Sequence, residues 1–230
     1  MLEIPPIEIS EHDGIRVVRD DLILGGSKVR VAPGLLAGSD EWVFAGPAQG
    51  YAQLALAVAC EAMGKRATFF CAERREPAPI TKLALAHGLQ VIFVPAGRIS
   101  VVQHRARSYC ELTGARFVEL GLKLPGMEDA LAELASSIEA PAEAWVTAGS
   151  GTLCRALARA WPEAEIHAVQ VGMRPQLPER AKLWVAPERF EQDASGPLPP
   201  FPSAINYDAK AWRFVAEHAS PGALFWNVGA

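Results

Sequence analysis

The sequence predicts an α/β protein built on open, mostly parallel sheets flanked by helices. Three observations predict it. From about residue 42 onward, short apolar runs alternate with segments of helical period. The connections are short, and successive helical patterns stop at Gly64, Gly88 and near Gly114. Two glycine-rich turns, Gly46-Pro47-Ala48-Gln49-Gly50 and Gly149-Ser150-Gly151-Thr152, each follow a strand and open a helix. That is where sheets of this kind bind their ligands.

The elements follow in order. The apolar run 42–45 reads as a strand, and 50–63 as a helix through Leu54, Ala57, Val58, Cys60 and Ala62. Strands at 67–71, 90–94 and 116–120 are separated by helices at 79–87 and 100–112, and a further helix spans 127–138. The strand 145–148 runs into the second glycine-rich turn and a helix at 152–160. Strands at 166–171 and 182–185, a helix at 207–218 and a strand at 223–228 complete the series. The stretch 187–203, rich in proline and acidic residues, reads as a long loop over the surface or over the site.

At 230 residues the chain is one large domain or two small ones, with half of its residues apolar, as in an ordinary globular protein. The net charge of −4 gives no general field for nucleic acid, although a local basic groove would be compatible with it. Cys60, Cys71, Cys110 and Cys154 are far apart and form no CxxC pair, so they read as core thiols of a reducing cytosol and not as metal ligands. The N-terminal stretch shows no basic segment and no apolar core, so no signal peptide is expected, and no run reaches transmembrane length. A cytoplasmic protein without a membrane partner is the expectation.

Lys28, in Gly25-Gly26-Ser27-Lys28, is the most suggestive residue. A lysine amine can form a Schiff base with a carbonyl, and pyridoxal phosphate is the commonest cofactor that uses one. Taken alone, a lysine in a glycine-rich turn is most often solvated. In Gly149-Ser150-Gly151-Thr152 the glycines let the backbone approach an anion, the hydroxyls add donors, and the helix N-terminus presents free N–H groups. The bland alternative is an ordinary strand-to-helix turn with a Ser or Thr cap. It is neither a Walker loop nor a GxGxxG fingerprint. Tyr207 opens the last helix, as a half-buried packing residue or as a phenol acid/base.

In this order the segments resemble the fold type II family of pyridoxal-phosphate enzymes, the tryptophan synthase beta-like group. They are most similar to its 1-aminocyclopropane-1-carboxylate deaminase and D-cysteine desulfhydrase branch. Arg19-Asp20-Asp21-Leu22 with Gly25-Gly26-Ser27-Lys28-Val29-Arg30 resembles that family's RDD…GGNKxRK, whose lysine holds the cofactor. Gly46 through Gln53 stands where the branch has GGxQSNH, and Val146 through Thr152 resembles its phosphate loop, xxGSGGT. Tyr207-Asp208-Ala209-Lys210-Ala211 resembles Y-x-G-K-A, and Leu224 through Ala230 resembles the terminal LFxHTGG. The matches span residues 16–230. Gly50-Tyr51 replaces the branch's Ser-Asn, Val228 replaces a Thr that contacts the pyridine nitrogen, and the phosphate loop has one glycine fewer. The chain is also more compact than typical members, similar to relatives carried in phage genomes.

The resemblance implies two lobes of open sheet: residues 40–140 as the smaller, and 1–39 with 141–230 as the larger, cofactor-binding lobe. The cofactor would sit in the cleft between them. It implies pyridoxal 5′-phosphate on Lys28, with its phosphate held by Gly149, Ser150, Gly151 and Thr152 and its ring by Asn227. Tyr207 and Tyr51 would assist proton transfer, and Gln49 with Gly50 would bind the substrate carboxylate. The reaction would be that of a lyase, deaminase or decarboxylase on an amino acid or its derivative. The departures point away from ring-opening deamination. Two further readings stay open: a decarboxylase or lyase acting on an amino-acid-modified nucleobase in phage DNA, and a cofactor-free binding protein on a decayed scaffold. By analogy with the family, a homodimer is expected.

Overall fold

The computed structural model describes residues 4–95 and 97–230; residues 1–3, on which part of the signal-peptide reading falls, lie outside the described residues. The elements are β1 (Ile9–His12), β2 (Ile15–Arg19), α1 (Ala32–Leu35), β3 (Glu41–Ala45), α2 (Ala52–Ala62), β4 (Arg66–Ala72) and α3 (Pro79–Ala86). Then come β5 (Leu89–Val94), α4 (Ile99–Thr113), β6 (Arg116–Val118), α5 (Met127–Ser136), β7 (Glu143–Ala148), α6 (Thr152–Ala160) and β8 (Glu165–Gln170). Last are β9 (Lys182–Val185), α7 (Ala209–His218) and β10 (Leu224–Asn227). Each strand and helix expected from residue 42 onward is present, with ends moved by a few residues. The β1–β2 hairpin and α1 were not anticipated. The hairpin has a local cause: Asp13 and Gly14 both take positive φ, the conformation that a two-residue hairpin turn demands.

The chain forms two compact units, one chiefly Lys28–Pro125, the other Pro5–Ser27 with Gly126–Ala230. The breaks fall after Ser27 and after Pro125, not at 39/40 and 140/141. The reason is helix packing. α1 packs on α2, while α5 lies against α6, where Glu128 pairs with Arg155 and Asp129 with Arg159.

In the smaller unit β5, β4, β3 and β6 lie side by side, all parallel. α2 is buried from Gln53 to Cys60, which explains its unbroken apolar run. One charged group is buried at the start of β3. Burial alone would raise the pKa of Glu41, but hydrogen bonds from Thr68 (2.7 Å), Tyr109 (2.8 Å) and Arg66 (3.0 Å) hold it below the ordinary carboxylate value.

In the larger unit the sheet order is β1-β2-β10-β7-β8-β9; β1 is antiparallel to β2 and the other pairs are parallel. Alternation along the strands sends Val146, Ala148 and Trp226 to one face, against Leu157 and Trp161. Trp145, Val169 and Phe225 go to the other face, against Trp212 and Val215 of α7. Thus β10 lies inside the sheet, between β2 and β7. Among the described residues no helix is long and apolar enough to cross a membrane.

His167 on β8 is 5% exposed and stacks on Trp145 at 4.1 Å. Its Nδ1 accepts the Trp184 indole N–H at 3.0 Å, and its Nε2 contacts Glu165 at 2.8 Å, a set that fits the neutral ring donating from Nε2. Burial pushes its pKa below the ordinary value, against the pull of Glu165 and Glu143. The unfolded chain therefore takes up a proton, below about pH 6.5, that the folded ring resists. Stability is full above that pH and is lost as pH falls toward the lowered folded value. The urea midpoint is expected to drop between about pH 7.5 and pH 5.5, and to drop less in His167→Gln.

Candidate functional site

The strand β7 ends in a turn that starts α6, and this turn carries the anion-type loop. Gly151 precedes the helix at φ +84°, and a Cβ there would overlap the backbone carbonyl of Gln176, so only glycine fits. The Gln176 amide donates to Ser150 O at 3.3 Å. The hydroxyls of Ser150 and Thr152 are 3.1 Å apart. The amides at the start of α6 have no acceptor within the helix, as at every helix N-terminus. The loop thus offers two hydroxyls and a fan of N–H groups, and carries no acidic side chain of its own. That donor set suits a phosphate ester.

Tyr207 meets this loop from the other side. The Gly149 amide donates to its hydroxyl at 2.8 Å, and the hydroxyl donates to Thr147 O at 3.4 Å. A Cβ on Gly149 would stand 3.1 Å from that oxygen. Burial, then the neighbouring Asp208 carboxylate, pushes the phenol well above its ordinary pKa, so it stays protonated at neutral pH.

The glycine-rich turn before Lys28 is locked to β10. Gly26 has φ +74°, and a Cβ on it would overlap the Val228 carbonyl, which accepts the Ser27 amide at 3.1 Å. The Trp226 indole N–H points to Asp20 (2.8 Å) and Ser27 Oγ (3.0 Å), both buried. Arg19 forms a two-pronged ion pair with Asp21, each bond 2.8 Å long. Asn227 is fully buried. Its amide donates to Asp21 and to Pro202 O, both at 2.8 Å, and its oxygen accepts from Ser203 at 2.8 Å. This corrects the expectation that Asn227 faces a cofactor ring: both of its N–H groups are committed to the clasp.

Lys28 follows this clasp and is half-buried on a short 3-10 turn, Ser27–Arg30, at the start of the smaller unit. In that unit Gln49, Gly50 and Tyr51 form the turn into α2, all half-buried. The Gly50 amide donates to Pro47 O at 3.0 Å, which closes the turn. Gln53, 0% exposed, shapes the turn by donating to Ala48 O (2.6 Å) and Gly50 O (3.1 Å), and Thr81 adds a bond to Ala48 O at 3.2 Å.

Gly149, Ser150, Gly151, Thr152 and Tyr207 therefore come together within the larger unit; Lys28, Gln49, Gly50 and Tyr51 belong to the smaller one. Sequence reasoning missed Gln53, Trp226 as a hydrogen-bond donor, and Arg155, whose guanidinium touches Ser150 O and Thr152 Oγ1. A Gln inside an otherwise apolar helix was a visible signal; the other two were not.

No protein-family model matches the chain, and neither does any curated protein sequence. Solved structures do match. A crystal structure of an ACC deaminase homologue has 16% identity and a TM-score of 0.76, over 94% of this chain and 84% of that one. The processed form of threonine deaminase isoform 2 from Solanum lycopersicum has 15% identity and a TM-score of 0.67, over 98% and 78%. Escherichia coli diaminopropionate ammonia lyase, in its apo form, has 14% identity and a TM-score of 0.65, over 100% and 84%. At such identities the likeness shows a shared fold. It is the α/β, mostly parallel architecture of fold type II expected from the sequence.

Two substitutions test the clasp. Gly26→Ala places a side chain at positive φ against a carbonyl and is expected to lower stability by about 2–4 kcal/mol. Trp226→Phe removes the donor to a buried carboxylate and should cost about 1.5–3 kcal/mol. Urea unfolding measures both, and effects within about 0.5 kcal/mol of wild type would show that the clasp is not stabilising.

Proposed function

We propose that the chain is a pyridoxal-phosphate-dependent enzyme acting on an amino acid or an amino-acid-derived substrate, of the lyase, deaminase or decarboxylase type. The observation that carries this reading is the loop Gly149–Thr152. Its two hydroxyls and its open N–H groups at the start of α6 suit a phosphate monoester. A fold shared with chains named as deaminases and an ammonia lyase supports the same reading.

In this reading Ser150, Gly151 and Thr152 would hold the cofactor's phosphate, and Lys28 would be the residue that bonds its aldehyde carbon. When bound, the cofactor supplies an electrophilic carbon for amino groups and a conjugated ring that accepts electron density from Cα. Lys28 Nζ would take or return the proton at Cα. The Tyr207 phenol, kept protonated by its raised pKa, would serve as a hydrogen-bond donor or acid, not as a base, by turning its proton from the long contact with Thr147 O to the substrate. It also holds Gly149 in place through the amide, so its two roles meet at one oxygen. Gln49 would orient the substrate carboxylate from the turn into α2, and Tyr51 beside it would assist proton transfer. Val228 offers an apolar side chain where the related branch has a hydroxyl, and Asn227 does not replace it, since its donors go to Asp21 and Pro202.

Wild-type protein incubated with pyridoxal phosphate is expected to show a visible absorbance band, and borohydride should fix the cofactor to the peptide that contains Lys28. Lys28→Ala should lose both. A wild-type protein that stays colourless with excess cofactor would overturn the reading.

Tyr207→Phe should keep the band and respond to added amino acids, while turnover of any accepted substrate falls by about a hundredfold or more. Unchanged turnover would remove Tyr207 from the chemistry.

A further inference from the structure

Arg155 lies in the first turn of α6, and by helical period alone it belongs to a solvated face. The structure uses its guanidinium on every side instead. Nε donates to Glu128 of α5 at 2.7 Å. Nη1 donates to Gln176 O at 2.8 Å and leans on Ser150 O at 3.4 Å. Nη2 reaches Thr152 Oγ1 at 3.5 Å. One planar fork thus joins α5, the segment after β8 and the anion loop, a pattern that a lysine's point charge cannot reproduce.

The contact with Thr152 has a chemical consequence. An oxygen that faces a guanidinium N–H accepts from it, so the Thr152 proton turns elsewhere. Ser150 Oγ lies 3.1 Å away, and a hydroxyl that accepts from Thr152 is free to donate outward. A cation behind the two hydroxyls therefore biases the relay from Thr152 to Ser150, so that Ser150 donates away from it, toward an anion. A phosphate monoester, with a charge of about −1.5 to −2 near neutral pH, is the acceptor that gains most.

We propose that Arg155 is the positioning residue of this loop: it turns the Thr152 proton toward Ser150, leaves the Ser150 proton to donate outward, and makes the site selective for the phosphorylated form of its ligand. The identity of that ligand rests on the cofactor reading above; the anion preference of the loop does not.

The test compares wild type, Arg155→Met, Arg155→Lys and Glu128→Gln. Visible titration gives the affinity for pyridoxal phosphate and for pyridoxal, which lacks the phosphate. Thermal unfolding with and without inorganic phosphate reads the loop directly. Arg155→Met is expected to weaken pyridoxal phosphate about tenfold or more, to change pyridoxal by less than about twofold, and to abolish stabilisation by phosphate. Arg155→Lys should recover only part of the difference. Glu128→Gln, which keeps the guanidinium but loosens its anchor, should show a smaller loss with the same selectivity, and it serves if Arg155→Met does not fold.

Equal weakening of both aldehydes would mean that Arg155 only supports the fold, and would overturn the proposal, as would unchanged affinities. If phosphate stabilises wild type but not Arg155→Met while no visible band forms with either aldehyde, the cofactor reading falls and the loop assignment stands. If wild type responds to neither phosphate nor aldehyde, both fall.

Discussion

The structure depends on the clasp between the segment after β2 and the end of β10. The residues on its two sides lie about two hundred positions apart, as for Asp20 with Trp226 and Asp21 with Asn227. Strand β10 enters the sheet between β2 and β7, so the main layer of the larger unit stays divided until this strand is in place. Contacts of such sequence separation carry a large loop-closure cost and favour slow folding. The clasp also fixes the backbone at Gly26 and Ser27. Asp20, Asp21 and Gly26 look like chemistry in the sequence; in the structure they are the mount on which the chemistry would stand.

What the sequence made legible follows from range. The alternation of strand and helix beyond residue 42 is a local property of apolar period, and it predicted the strands and helices there. The β1–β2 hairpin had an equally local signal in Asp13-Gly14, which the shortness of the strands on either side obscured. The loop Gly149–Thr152 was legible because glycines and hydroxyls cluster within four residues. The commitment of Asn227 to Asp21, Pro202 and Ser203 was not, since no spacing rule reports which distant carboxylate a buried amide will find. Arg155 was hidden for a similar reason: its partners come from α5, the anion loop and the segment at Gln176, each outside its own helix except Thr152.

The anion loop shows how a turn with one glycine fewer than the resembling motif can still be held open. Gly151 alone takes a positive φ within it. The rest of its shape comes from outside: Tyr207 on the Gly149 amide, Gln176 on the Ser150 carbonyl, and Arg155 on both Ser150 and Thr152. Conformational freedom that glycine would provide is replaced by restraint from neighbours. A loop so restrained would lose less entropy on binding an anion, because its donors are already oriented.

Polar pairing in the clasp decides something that apolar packing cannot. Strand β10 is buried on both faces, with Trp226 to one side and Phe225 to the other. A slip by two residues against β2 or β7 would keep that alternation and would still bury the same faces. The hydrogen bonds break this degeneracy. Only the observed register, with Trp226 beside Val18 and Asn227 beside Arg19, brings the indole to Asp20, the amide to Asp21 and the Val228 carbonyl to the Ser27 amide. After a slip the carboxylates would be buried without these donors, at a cost of about 1–3 kcal/mol for each bond left unmade. Register in β10 is therefore set by the same bonds that seat the turn at Gly26 and Ser27, so the shape of that turn and the pairing of the strand are one constraint.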